Sequence, residues 1–242
     1  MRDVLKILDV NIDRLDMQGA VERVKKLLSQ AGSSLIVTPN SEMLAAAAED
    51  AELARILNSA DLAVPDGAGV ILASKIMGDK LPERVAGFDL ITELFAQLEN
   101  EDYSFYFLGS KPGIVDKAAA ELKSRYPNLN IAGYHHGYLD KKLLAELKKE
   151  INEKEVDLLL VGMGVPLQER FLDKNLAELN VKAAVTVGGS FDVIAGEVMR
   201  APVWMQKAGL EWFYRLIQEP SRFGRMLLLP KFIYLVIRTR YQ

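Results

Sequence analysis

The sequence predicts an α/β fold with a mainly parallel, Rossmann-like sheet flanked by helices. Short apolar runs alternate with longer segments in which apolar residues recur at i, i+3 and i+4, and this alternation is typical of parallel α/β domains. Three of the runs, SFYFLG, DLLLVGMG and AAVTVGG, are apolar on both faces, as strands covered by helices on both sides are. A chain of 242 residues is long enough for one such domain and a short appendage.

The predicted elements follow in order along the chain. The strands are expected at the apolar runs near residues 4–9, 34–38, 61–65, 103–108, 129–134, 157–162 and 182–187. The clearest helical patterns lie between these runs and cover residues 17–30, 41–60, 111–127 and 141–156. We therefore expect an α/β domain over residues 1–195 and a helical appendage over residues 196–242.

The appendage differs from the domain in charge and in aromatic content. From Ala201 onward the chain has a net charge of +5, which leaves a net charge of −8 for the rest. Its basic residues are interleaved with aromatic and aliphatic ones, as in an amphipathic segment on an anionic membrane surface. Pro230 interrupts the longest apolar stretch, so this stretch is too short to span a bilayer. The alternative is a helical hairpin docked on the domain or on a second subunit of a homo-oligomer.

Composition excludes several kinds of site and partner. The chain has no cysteine, and its two histidines, His135 and His136, are adjacent, so we expect no disulfide and no metal site. The N-terminal segment MRDVLKILDV has neither a signal-peptide pattern nor an anchor pattern, which predicts a cytoplasmic protein. The slightly negative net charge argues against a nucleic-acid partner.

Candidate chemistry lies at four predicted strand ends, the first of which is in IVTPNSEML. Ser41 is a favourable N-cap for the helix that follows Thr38-Pro39-Asn40. Backbone N–H groups at that helix start, with the Thr38 hydroxyl and the Asn40 amide beside them, suit a sugar or a phosphate. Capping alone explains Ser41, so both interpretations stay open.

The second strand end is in DLAVPDGAGV, where a short apolar run stops at Pro65-Asp66-Gly67. A carboxylate at the C-terminal end of a parallel strand lies in the crevice where α/β proteins bind ligands. Asp66 is therefore a candidate general base that accepts a proton from a hydroxyl. The alternative is an Asp-Gly turn in which Asp66 caps the next helix.

The third strand end, LLLVGMGVPLQERF, carries Gly162-x-Gly164 and then Pro166 at the expected first helical turn. The pattern is half of a dinucleotide fingerprint, because Leu167 stands where the third glycine belongs. A glycine-rich turn onto a helix still predicts a pyrophosphate seat, and Gln168 is expected to project into the same crevice.

The fourth strand end and one loop complete the set. Gly188-Gly189-Ser190 opens another helix after a buried strand in VTVGGSFDVIAGEVMRAP. Arg84, in the loop LPERVAG, is the cation expected nearest a phosphate, because a guanidinium grips phosphate oxygens in pairs. A solvated loop arginine is the alternative.

Taken together, these segments resemble the WecG/TagA/CpsF family of bacterial glycosyltransferases over nearly the whole chain. The resemblance rests on six motifs in this order, TPNSEML, PDGAGV, RVAGFDL, GMGVPLQE, GGSFDVIAGEVMRAP and GLEWFYRLIQEPSRFGR. It implies an inverting, metal-independent enzyme with no cofactor, in which Asp66 is the general base. The implied substrate-binding residues are Thr38, Asn40, Arg84, Gln168, Gly162, Gly164, Gly188, Gly189, Arg215, Arg222 and Arg225.

The resemblance also implies substrates and a location. Members of the family move a sugar from a UDP donor to a polyprenyl-diphosphate-linked acceptor on the inner face of the cell membrane. In the TagA branch the donor is UDP-N-acetylmannosamine, the acceptor is N-acetylglucosamine-diphosphoundecaprenol, and the product enters wall teichoic acid. Other branches use the uronic acid form of the donor or other hexoses. The chain has no Asp-x-Asp triplet, and the resemblance implies that Arg215, Arg222 and Arg225 stabilise the diphosphate instead.

Two alternatives of another class remain at this stage. The Gly162-x-Gly164 turn also suits a nucleotide-dependent oxidoreductase, although no Tyr-x-x-x-Lys pattern follows this turn in the chain. The basic, aromatic appendage also suits a membrane adaptor without catalytic activity.

Overall fold

The computed structural model describes residues 2–220 and 223–240, with only the backbone of residues 225 and 226. The strands within this part of the chain are β1 Val4–Ile7, β2 Val10–Asp13, β3 Ser34–Val37, β4 Leu62–Ala63, β5 Ser104–Gly109, β6 Asn130–His135, β7 Leu158–Gly162 and β8 Ala183–Thr186. The helices are α1 Met17–Leu28, α2 Ser41–Ala47, α3 Ala51–Ser59, α4 Ala68–Ile76, α5 Gly87–Leu98, α6 Ile114–Arg125, α7 Lys141–Glu153, α8 Leu167–Asn175, α9 Ser190–Ile194, α10 Val203–Lys207, α11 Glu211–Gln218, α12 Phe223–Met226 and α13 Leu228–Arg240.

The central sheet has six parallel strands in the order β4-β3-β8-β7-β5-β6. Alternate residues of each strand enter opposite core layers. In β5, Tyr106 and Leu108 pack with one layer, and Phe105 and Phe107 pack with the other. Both faces of the sheet are therefore buried by helices, which confirms the predicted fold class.

The predicted strand at residues 4–9 is wrong in two respects. The chain turns back at Leu8 and Asp9, which both have positive φ angles, and β1 pairs with β2 in a separate antiparallel hairpin. This hairpin is attached to the sheet edge through Asp13, whose Oδ2 accepts a hydrogen bond from the Ala63 N–H at 2.7 Å. The turn was missed because neither residue is a glycine, the usual choice at positive φ.

The predicted helix at residues 41–60 is two helices, α2 and α3. Asp50 interrupts the helical pattern because its side chain accepts a hydrogen bond from Leu53 N at 3.0 Å and caps a new helix. The same arrangement turns α3 so that Leu53, Ile56 and Leu57 are buried.

The C-terminal helix α13 packs on α2 and α4. Phe232 and Val236 are buried in the same core layer as those helices, and Lys231 forms an ion pair with Glu49 at 2.5 Å. The helix α13 is therefore docked on the domain. The helices α10 to α12, in contrast, leave several large apolar side chains exposed. No helix in the described part of the chain is long and apolar enough to cross a membrane.

The four strand ends that the sequence analysis selected belong to the adjacent strands β4, β3, β8 and β7. Because these strands are parallel, their C-terminal ends lie at one edge of the sheet. The fold thus brings the four predicted segments together.

Candidate active site

One pocket lies at this edge of the sheet, and most of the predicted site residues line it. Those of its lining residues that the sequence analysis had selected are Thr38, Asn40, Asp66, Arg84, Gly164, Gln168, Gly188, Gly189 and Arg215. Gly162 is buried instead. A Cβ at Gly162 would lie 2.7 Å from the Gly188 carbonyl oxygen, so this glycine allows close packing beneath the pocket.

Asn40, and not Ser41, is the N-cap of α2. Its Oδ1 accepts a hydrogen bond from Met43 N at 3.0 Å, which leaves Ser41 buried beside Gly69. The expectation for Ser41 was therefore wrong by one residue. Asn40 has a capping role and also lines the pocket.

Thr38 ties two neighbouring strand ends together. Its hydroxyl donates to the Thr186 carbonyl oxygen at 3.2 Å, and its methyl group would lie 3.0 Å from a Cβ at Gly87. A side chain at position 87 would therefore crowd Thr38, which would have to shift by a few tenths of an ångström. Glycine at that position keeps the backbone N–H of residue 87 close to the pocket.

Asp66 stands where three loops meet. The Asp66 N–H donates to the Pro39 carbonyl oxygen at 3.2 Å, and the Val85 N–H donates to the Pro65 carbonyl oxygen at 3.0 Å. The N-cap of α4 is Gly67, with a φ of 90° and no side-chain cap. The alternative in which Asp66 caps this helix is therefore wrong, and its carboxylate is available to the pocket.

The surroundings of Asp66 raise its pKa to about 6. Burial is the largest cause, and the nearby carboxylates of Glu211 and Asp89 act in the same direction. The Arg84 guanidinium and a hydrogen bond from the Gly87 N–H oppose the rise. A carboxylate with such a pKa is ionised at neutral pH and is more basic than an ordinary aspartate, as a general base requires.

Arg84 belongs to an ion-pair network that the sequence analysis missed. Its Nη2 donates to Glu211 Oε2 at 2.5 Å, and Arg200 donates through Nε to Glu211 Oε1 at 3.2 Å. Arg200 also binds both oxygens of Asp89, at 2.5 and 2.7 Å. The network joins the loop that carries Arg84 to α5 and α11, so the alternative of a solvated loop arginine is wrong.

Gln168 lines the pocket, but its amide is engaged by other groups of the protein. The residue is 1% exposed, and its amide does not project freely into the crevice. Its Nε2 donates to Glu169 Oε1 at 2.7 Å, and its Oε1 accepts from the Gly188 N–H at 3.1 Å. Gly188 lies beyond the end of β8 and has a left-handed φ of 53°, and Gln168 supplies the acceptor for its N–H.

Arg215 on α11 reaches the glycine turn after β8. A Cβ at Gly189 would lie 2.3 Å from its Nη2, so only glycine permits this approach. Arg215 also pairs with Glu219 at 3.4 Å. Arg222 lies outside the described residues, and the description of Arg225 is limited to its backbone in α12, so their predicted roles stay predictions.

Comparison with known proteins gives a family and several named relatives. Residues 5–242 match the model of the Glycosyl transferase WecG/TagA/CpsF family. A relative from Bacillus subtilis (strain 168), named N-acetylglucosaminyldiphosphoundecaprenol N-acetyl-beta-D-mannosaminyltransferase, is 37% identical over 215 residues, which cover 88% of this chain and 83% of the relative. A protein of the same name from Staphylococcus aureus (strain MW2) is 31% identical over 236 residues, which cover 97% of this chain and 92% of the relative.

Proposed function

The chain belongs to the Glycosyl transferase WecG/TagA/CpsF family, and from that premise we propose that it transfers N-acetylmannosamine from UDP-N-acetylmannosamine to N-acetylglucosamine-diphosphoundecaprenol. The names of the relatives support this acceptor and this sugar. The reaction would belong to the synthesis of the wall teichoic acid linkage unit. The observation that carries the proposal is the placement of Asp66, with its raised pKa, beside Arg84 in one pocket.

Asp66 acts as the general base in this proposal. Its carboxylate takes the proton from an acceptor hydroxyl while the hydroxyl oxygen attacks the anomeric carbon of the donor. The bond between that carbon and the diphosphate oxygen breaks in the same step, and UDP leaves with the electron pair. Attack from the side opposite to the leaving group inverts the configuration of the sugar.

Arginines stabilise the charge that develops on the leaving diphosphate. Arg84 and Arg215 both line the pocket. Arg84 lies in the loop between α4 and α5, and Arg215 on α11 approaches the glycine turn after β8. Guanidinium groups in a partly buried pocket stabilise a developing anion strongly. We propose that they act in place of a metal ion and that Arg222 and Arg225 contribute to the same charge compensation.

The appendage holds the enzyme on the inner face of the membrane in this proposal. Its exposed large apolar residues are Met199, Val203, Trp204, Leu210, Trp212, Phe213, Ile217, Phe223, Leu227, Tyr234 and Ile237. Apolar and basic side chains on short helices favour binding to an anionic membrane surface. The acceptor is anchored in the same surface by its polyprenyl chain, so membrane binding would bring enzyme and acceptor together.

A second donor is the principal alternative. The uronic acid form of N-acetylmannosamine, or another UDP-hexose for a capsule or another surface polysaccharide, would use the same base and the same arginines. The family assignment argues against the oxidoreductase and adaptor alternatives.

A donor panel tests the proposal. The purified full chain is incubated with a short-chain N-acetylglucosamine-diphosphoryl lipid and each UDP-sugar in turn, with EDTA present. We expect transfer from UDP-N-acetylmannosamine at a rate at least tenfold above that from the other donors, since a pocket that hydrogen-bonds a substrate group discriminates strongly against analogues. Preferred transfer of another sugar would refute the donor, and loss of transfer with EDTA would refute metal independence.

A further inference from the structure

A carboxyl group with no part in the proposed reaction is buried behind the pocket. Glu169 is 0% exposed, and its Oε2 has no hydrogen-bond partner among the described residues. Burial raises the pKa of Glu169 to about 7, against the opposing effect of a hydrogen bond from Gln168. Burying a carboxyl group costs free energy, and an apolar side chain would fill the same space without that cost. Packing alone therefore does not explain a glutamate at this position.

The buried carboxyl group determines the orientation of its neighbour. Gln168 Nε2 donates to Glu169 Oε1 at 2.7 Å, and Gln168 Oε1 accepts from the Gly188 N–H at 3.1 Å. A flipped amide would place its NH₂ group against the Gly188 N–H, donor against donor. The acceptor on Glu169 thus selects the one amide orientation that binds Gly188.

Gly188 is the point at which this link reaches the pocket. On the side of β3, the Thr38 hydroxyl holds the Thr186 carbonyl oxygen at 3.2 Å. On the side of β7, the Gly188 N–H donates a hydrogen bond to the Gln168 amide oxygen. The turn that these bonds fix continues into Gly189, whose backbone packs against the Arg215 guanidinium.

We propose that Glu169 is a positioning residue: its carboxyl oxygen orients the Gln168 amide, the amide fixes the Gly188-Gly189 turn, and the turn seats Arg215 against the leaving diphosphate. Only the last of these steps rests on the proposed function. The link from Glu169 to Gly188 is independent of what the pocket binds.

The matched variants Glu169→Gln and Glu169→Met test the link. Both replacements are unbranched and similar in length to glutamate, and only glutamine keeps an oxygen that accepts from Gln168. The measurements are hydrogen exchange of the Gly188 amide in the full chain, and kcat and KM for transfer from UDP-N-acetylmannosamine.

We expect Glu169→Gln to remain within about twofold of the wild type in exchange rate and in kcat, because the acceptor is kept. Glu169→Met should exchange about tenfold faster at Gly188 and should lose about tenfold in kcat, as expected for one lost buried hydrogen bond. The donor KM should change less than about threefold, because Arg215 acts on charge that develops as the bond breaks.

Two results would overturn the inference. Wild-type exchange rates and wild-type kcat values in both variants would show that the acceptor oxygen has no effect. Equal losses in both would show that the ionisable proton is required, which a positioning role does not predict. If Glu169→Met does not fold, Gln168→Met removes the middle of the link, and an exchange rate at Gly188 that stays at the wild-type value would contradict it. If the wild type transfers no sugar, the proposed function fails, and the exchange rates still decide the link.

Discussion

Arg84 and Glu211 are separated by 127 positions in the chain, and their side chains meet at 2.5 Å beside Asp66. Glu211 begins α11, which also carries Arg215. The contact therefore connects the appendage to the loop beside the proposed base. Glu211 also raises the pKa of Asp66 through its negative charge, so the appendage affects the basicity of that base.

Removal of this charge should change the pH dependence of the reaction. In Glu211→Gln the pKa of Asp66 should fall, because one of the causes that raise it is lost. The decrease of kcat/KM at acid pH, which reports protonation of Asp66, should then occur at lower pH. The shift should be up to about one pH unit, because the charge of Glu211 is partly screened. Glu197→Gln is the matched control, since Glu197 pairs with Lys117 away from the pocket. A limb that stays in place, or moves to higher pH, would contradict the assigned role of Glu211.

Asp66→Asn should stabilise the fold at neutral pH. The pKa of Asp66 is raised from 3.8 to about 6 in the folded chain, so folding favours the protonated form. Ionisation therefore lowers the free energy of unfolding as pH rises from about 4 to about 6. Asparagine avoids this loss, and the gain should be about 1 to 3 kcal/mol at pH 7.5.

Urea unfolding of Asp66→Asn and the wild type at pH 7.5 and pH 4 measures this gain, which should be much smaller at the lower pH. Asp102→Asn, at an exposed position, is the control and should show no such difference. A variant less stable than the wild type at pH 7.5 would refute the unfavourable burial of the Asp66 charge.

Phe232→Ala should destabilise the whole domain. Phe232 is fully buried between α13 and the helices that begin at Ser41 and Ala68. Loss of a buried phenylalanine typically costs about 3 to 5 kcal/mol. Chemical denaturation gives the value, and Phe223→Ala, at a position that is 62% exposed, is the matched control. Equal stabilities of the two variants would show that α13 is not docked as described.

The appendage should bind anionic lipid vesicles through its exposed apolar side chains. Replacement of both Ile217 and Phe223, which are 61% and 62% exposed, by serine should weaken binding at least tenfold, because each such side chain contributes about 1.5 to 3 kcal/mol when it is buried. Sedimentation with phosphatidylglycerol vesicles measures the loss. Tyr138→Ser, also at an exposed position, should bind as the wild type does, and equal binding of all three proteins would contradict the membrane proposal.

The strand ends were predictable from sequence because their positions follow from local chemistry. Apolar runs that stop at Thr38, Asp66, Gly162 and Gly188 indicate buried parallel strands, and parallel strands end at one edge. The hairpin turn at Leu8 and Asp9 lacked a glycine, and the break at Asp50 lay within an otherwise continuous helical pattern. Tertiary packing determines whether the chain turns or breaks at these two places, and the local sequence pattern does not show it.

The ion-pair network was beyond prediction for a different reason. Asp89, Arg200 and Glu211 come from three distant segments, and a charged residue in a helix or loop gives no sign of its partner. Gln168 is a similar case. Its spacing placed it correctly near the glycine turn, but the sequence did not reveal that its amide is hydrogen-bonded to Glu169 and Gly188.

The central claim is that Asp66 accepts the proton of the attacking hydroxyl, and transfer by Asp66→Asn tests it most directly. Sugar transfer to the lipid acceptor and binding of UDP are measured for the wild type and the variant at pH 7.5. The account predicts a loss of about 10² to 10⁴ in kcat, the usual contribution of a general base. UDP affinity should stay within about threefold of the wild type, because asparagine has nearly the same shape and the proposal assigns UDP binding to the arginines. A variant that transfers sugar within about threefold of the wild-type rate would contradict the claim.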